Sequence, residues 1–80
     1  MVKKFGAKQM CEIDCAKGRK VLVSYSTPVV VRDANRFYVT ETWYSKTTTK
    51  HINHYLLTQG AEEVMRVDET VLRDLIAGTL

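Results

Sequence analysis

The chain has 80 residues, 45% of them apolar, with two cysteines and a net charge of +3. That length supports one modest core and leaves little room for a deep pocket beside it, which weighs against a self-sufficient enzyme. Two cysteines are too few for the disulfide framework of a small secreted domain, and the sequence shows neither a signal-peptide core nor a membrane-spanning window; the expectation is one soluble cytoplasmic domain over residues 1–80.

In chain order, Lys8 to Cys15 alternates as a strand, with Cys11, Ile13 and Cys15 on one face and Met10, Glu12 and Asp14 on the other. Lys17-Gly18 supplies a turn, and Val21, Val23 and Tyr25 resume the alternation, giving a hairpin. Thr27-Pro28 interrupts it, so a kink or bulge is expected before a buried strand through Val29, Val30 and Val31. Asp33-Ala34-Asn35-Arg36 is a polar turn in which Asn35 is the residue suited to positive φ. Phe37 to Trp43 then completes a second hairpin.

At Ser45 the composition changes. Ser45-Lys46-Thr47-Thr48-Thr49-Lys50 is hydroxyl-rich and caps a helix whose apolar face holds Ile52, Tyr55, Leu56 and Gln59, with Gly60 as its stop. Glu63 to Val67 reads as a short strand showing Met65 and Val67 to the core. Asp68 is the N-cap of a last helix with Leu72, Leu75 and Ile76 as its stripe and Gly78 as its end. The order β-β-β-β-α-β-α implies an α+β fold, a small mostly antiparallel sheet packed against one or two helices.

Charge is unevenly placed: residues 1–58 hold ten Lys or Arg against four Asp or Glu, and residues 59–80 hold two against five. An anionic partner suits the first part. Cys11, Cys15, His51 and His54 form a zinc-like set by residue type, but on one strand the two cysteine Cα atoms stand about 13 Å apart, too far to share a tetrahedral ion. No metal or cofactor is therefore expected. His51 and His54 lack the elbow, metal-helix or phosphate-loop patterns that accompany catalysis, so no catalytic residue is assigned and His51 reads as a packed or capping residue.

The remaining chemistry is an anion site at the helix start. Free amides and the positive end of the helix dipole favour a phosphate there, and Lys46, Thr47, Thr48, Thr49, Lys50 and His51 add charge and donors. Arg36 and Trp43 extend this set, since an exposed ring bordered by cations stacks bases of single-stranded nucleic acid. The same threonines and lysines also make an ordinary solvated cap.

Ser24-Tyr25-Ser26-Thr27-Pro28, then Phe37-Tyr38-Val39-Thr40, and finally Tyr44-Ser45-Lys46-Thr47-Thr48-Thr49-Lys50-His51-Ile52-Asn53 give the chain its resemblance to a group of short uncharacterised proteins of bacteriophages and their hosts. The shared stretches are Ser-Tyr-x-Thr-Pro and Tyr-Ser-x-Thr-Thr-x-x-His-x-Asn. The resemblance implies a phage setting, hence the cytoplasm of a host cell, and directs attention to Tyr25, Thr27, Pro28, Tyr44, Ser45, Thr47, Thr48, His51 and Asn53. Those residues fit a ligand site, or a structural signature in which Ser and Thr cap the helix while His51 and Asn53 bond neighbouring strands.

The leading expectation is a small non-catalytic accessory domain that binds nucleic-acid phosphates through the basic region and the Thr-rich helix start. The alternative is a protein-binding factor that inhibits or redirects a host protein, using an exposed edge strand. A binder of a small phosphorylated ligand at the Thr47 to His51 turn is a third reading, and a homodimer is compatible with each.

Overall fold

The computed structural model describes residues 2–4, 10–25 and 27–80. Six strands form one sheet in sequential order: β1 (Val2–Lys4), β2 (Met10–Asp14), β3 (Lys20–Ser24), β4 (Thr27–Asp33), β5 (Arg36–Thr40) and β6 (Glu63–Val67). Neighbours are antiparallel except β5 and β6, which run parallel and are joined through helix α1 (Lys46–Thr58). A parallel pair needs such a crossover because a tight turn cannot reverse the chain twice. Helix α2 (Glu69–Ala77) follows β6. The expected order of strands and helices is present, preceded by the short β1; Lys8 and Gln9, placed in the first strand by their alternation, lie outside the described residues.

Both faces of the sheet are covered. On one, Met10, Leu22, Val30, Phe37 and Val39 pack beneath Tyr55 of α1. On the other, Val21 and Val31 pack beneath Leu72 and Leu75 of α2. The Pro28 interruption is a bulge: Leu22 lies opposite Val30 but Val23 lies opposite Pro28, so Val29 is the extra residue. Proline thus sits within an interior strand at the irregularity, where a ladder donor is not required.

Three local expectations are corrected. The positive φ in the β4–β5 turn belongs to Ala34 (φ 55°), not to Asn35. β5 ends at Thr40 instead of Trp43, because the Thr40 hydroxyl accepts the Thr42 amide at 3.2 Å and turns the chain out of the ladder. Of the two β6 residues expected in the core, Val67 packs against the cluster beneath α2, whereas Met65 is 52% exposed.

The second helix is fixed at both ends. Asp68 accepts the Val71 amide at 2.9 Å as N-cap. At the other end Gly78 takes φ 83°, and a Cβ there would lie 2.9 Å from Ala16 Cβ. Arg19, only 7% exposed, donates Nη1 to the Leu75 carbonyl at 2.8 Å, Nη2 to the Leu80 main-chain oxygen at 2.7 Å and Nε to Asp33 at 3.2 Å. A guanidinium at a helix C-terminus satisfies the last carbonyls and opposes the dipole.

Glycine and alanine at the two left-handed turns give opposite expectations. Gly78→Ala combines αL strain with a close contact and should lower unfolding free energy by at least about 1 kcal/mol, while Ala34→Gly relieves αL strain and should raise it by up to about 1 kcal/mol. Denaturant melts of both variants check this; equal stabilities would refute it.

Candidate functional site

Helix α1 begins at Ser45, whose backbone is extended and whose hydroxyl accepts the Thr48 amide at 3.1 Å. The face turned to the sheet is polar at its start. Thr48 and His51 are 5% and 8% exposed, and both meet Ser24 of β3, itself 1% exposed. Ser24 Oγ is 2.8 Å from His51 Nδ1 and 3.3 Å from Thr48 Oγ1, and Ser45 Oγ donates to Thr48 Oγ1 at 3.2 Å. Tyr25 adopts φ 50° and stacks its ring on the imidazole, with centroids 5.7 Å apart. Near the middle of the helix the buried Tyr55 donates its hydroxyl to Glu12 of β2 at 2.7 Å. Among the described residues no buried side-chain nitrogen or oxygen lacks a partner.

The two stretches singled out in the sequence therefore meet in space. Ser24 and Tyr25 clasp His51, while Thr27, Pro28 and Tyr44 line one small cavity of about 70 Å³ against Leu72 and Ile76 of α2. The Tyr44 hydroxyl donates to Glu69, which together with partial burial pushes the phenol above its ordinary range. A serine hydrogen-bonded to a histidine has the outline of a nucleophile and base. Ser24 is enclosed, however, and its hydroxyl is already shared with Thr48, so the geometry describes a junction between α1 and β3.

Of the residues expected at an anion site, Thr48 and His51 face inward at this junction, whereas Lys46, Thr47, Thr49 and Lys50 are exposed. The outer face of α1 carries Lys46, Lys50 and His54, and the helix contains no acidic residue. Arg36 does not join them. It lies at the opposite end of β5 from the start of α1, with Glu63 3.8 Å away. Trp43 is 70% exposed on the loop between β5 and α1.

This loop borders a cleft of about 210 Å³ between α1 and the β5–β6 edge. Its sides carry Trp43, Thr49, Asn53, Glu41 and Arg66, over a floor that includes Ile52 and Leu56. Arg66 was not assigned a site role from sequence, because it belongs to the acidic final third and only the parallel pairing of β6 with β5 brings it beside the helix. Cys11 and Cys15 are free thiols, and burial pushes Cys15 up. Among the described residues no three His, Cys, Asp or Glu side chains gather closely enough to hold a metal, and no helix is long and apolar enough to cross a membrane.

The chain belongs to a family of unknown function (DUF8033), whose model matches residues 2–71. That span contains every element from β1 through β6 and the first turn of α2, including the whole junction and cleft. No curated protein matches the chain, and no solved structure does.

Tyr55 gives the seat of α1 a pH signature. Burial, then the hydrogen bond to Glu12, raise its phenol above the ordinary value of about 10. The folded state thus holds this proton more tightly than the unfolded chain. Its contribution is complete below about pH 10 and is lost as pH rises toward the raised value. Unfolding free energy should fall between about pH 10 and 11, and Tyr55→Phe should fall less steeply across the same interval. Parallel slopes for the two proteins in denaturant titrations would remove Tyr55 as the cause.

Proposed function

We propose that the protein is a non-catalytic binding module that contacts nucleic-acid phosphates through the outer face of α1. The observation that carries this reading is the charge of that face: Lys46 and Lys50 stand one turn apart, His54 a further turn on, and no acid occurs in the thirteen-residue helix. Neither lysine has an ion-pair partner among the described residues. Lys46, in the first turn of the helix, opposes the dipole, and an anion beside it offsets that cost. The seating of Thr48 and His51 in the sheet junction keeps Lys46 and Lys50 turned to solvent.

Several other cations of the basic region are engaged elsewhere. Arg19 holds the end of α2, Lys20 pairs with Asp14 at 2.5 Å, and Arg32 donates to Gln59 at 2.8 Å. The side chains of Lys3, Lys4 and Lys8 lie outside the described residues. A modest number of phosphate contacts follows, with modest affinity.

Affinity for single-stranded DNA or RNA should fall steeply as salt rises from about 50 to 200 mM, and Lys46→Ala with Lys50→Ala should flatten the slope of log affinity against log salt by about 1.4, roughly 0.7 for each lost contact on a single strand. Fluorescence anisotropy with a labelled oligonucleotide measures both. Absence of binding at about 50 mM salt sinks the proposal.

A second reading is favoured by one specific feature, the open edge of β6. Among the described residues no strand pairs with its outer side, Val64 and Met65 are 44% and 52% exposed there, and an unpaired edge strand accepts a strand from another protein. In this reading the module attaches to a host protein. Pull-down from host lysate with and without nuclease separates the two: a partner retained after nuclease treatment and lost in Val64→Lys supports edge pairing, while capture that vanishes with nuclease supports the nucleic-acid reading.

A further inference from the structure

We propose that the cleft between α1 and the β5–β6 edge receives one unpaired base of a single strand, stacked against Trp43, with Asn53, Glu41 and Arg66 at its polar edges. This rests on the nucleic-acid reading and specifies the form of nucleic acid it requires.

Size and chemistry both point to a planar, edge-polar ligand. The cleft, about 210 Å³, is smaller than the 300 Å³ or so at which drug-sized pockets begin, so it has room for one ring system and little more. Its floor includes the half-buried Ile52 and Leu56, which suit the apolar face of a ring. Its sides offer an amide at Asn53, a carboxylate at Glu41 and a guanidinium at Arg66. A heterocycle with donors and acceptors around its rim uses all three.

Trp43 and Arg66 are both unspent. Trp43 exposes 70% of its surface and has no aromatic partner among the described residues. Arg66 is exposed, without an ion pair among the described residues. A tryptophan at the lip of a cleft that a cation also lines is the arrangement by which single-strand binders stack bases and hold the backbone.

Glu41 decides between a base and a phosphate as occupant. A carboxylate repels a phosphate placed inside the cleft, yet accepts a hydrogen bond from an exocyclic amine. Adenine and cytosine carry such an amine; thymine and uracil do not. The cleft is thereby expected to prefer amine-bearing bases, with phosphates remaining outside on Lys46 and Lys50. A duplex is excluded as the cognate form, because its bases are stacked and only their groove edges are accessible.

The chain's only tryptophan reports directly on this site. The full chain is titrated with oligonucleotides of roughly ten nucleotides, within the span that small single-strand folds cover, made of adenine, cytosine, thymine or abasic sugar-phosphate. Adenine and cytosine strands should quench Trp43 fluorescence and bind more tightly than thymine strands, and abasic strands should bind in a salt-dependent way without quenching. Asn53→Ala and Trp43→Ala should each weaken the adenine strand on the order of tenfold while leaving the abasic strand unchanged. Both side chains are exposed, so thermal melts should match the parent. If all strands bind with Trp43 fluorescence unchanged, or if abasic strands bind as tightly as adenine strands, the base cleft is overturned while phosphate binding stands. If no strand binds at about 50 mM salt, both fall.

Discussion

The hydrogen bond between Ser24 of β3 and His51 of α1 is the constraint on which the exposed chemistry depends. Helix α1 has only one fully buried apolar ring, Tyr55, and its first half meets the sheet through hydroxyls and an imidazole. Apolar packing tolerates rotation of a helix by a few tens of degrees, but a buried imidazole and two buried hydroxyls do not, because each unpaired group costs about 1–3 kcal/mol. Thr48 and His51, three residues apart on one face, thus fix the rotation of α1. With those two inward, Lys46, Lys50 and Asn53 are necessarily outward or at the cleft.

The other helix is held by a different balance. Leu72 and Leu75 are buried against Val21 and Val31, and at the end of α2 the Asp74 carbonyl accepts from the amides of Gly78 and Thr79 while the Leu75 carbonyl accepts from Arg19. Burying a guanidinium is favourable only when its donors are occupied, and here three of them are directed at Asp33, Leu75 and Leu80. This changes the meaning of the basic composition. A cation that clamps a helix end contributes little to the field a partner meets, so the charge count of residues 1–58 overstates the charge available for binding.

Signals contained within a few residues were legible in the sequence. The caps at Ser45, Asp68 and Gly78 were recognised because capping depends on a side chain and the amides two or three positions away. The bulge at Pro28 follows from a missing donor. What failed to show was set by distant parts of the chain. Met65 alternates like a core residue, yet its cover depends on where α2 lies across the sheet. Glu12, Ser24 and Arg19 are buried because helices of matching polarity lie over them, and alternation cannot distinguish a polar face turned to water from one turned to Tyr55 or His51. Arg66 reaches the cleft through a parallel pairing across α1 that leaves no local trace.

The six strands and two α-helices of the described residues cannot cover each other completely. At about 4.8 Å between strands the sheet spans roughly 24 Å, whereas a helix with side chains is about 10 Å wide, so one helix per face shields about two strands. Helix α2 takes β4 and β5, and α1 lies over β3 with its tyrosine reaching Glu12 of β2 and Phe37 of β5. On β6, Val67 still packs against the α2 cluster, but Val64, Met65 and Arg66 are exposed. The step from the raised helix to the bare edge strand is the cleft, and the loop that carries the chain up that step holds Trp43. A chain of this length accordingly acquires its concave surface where its covering layers run out, and not by enclosing a cavity in its core.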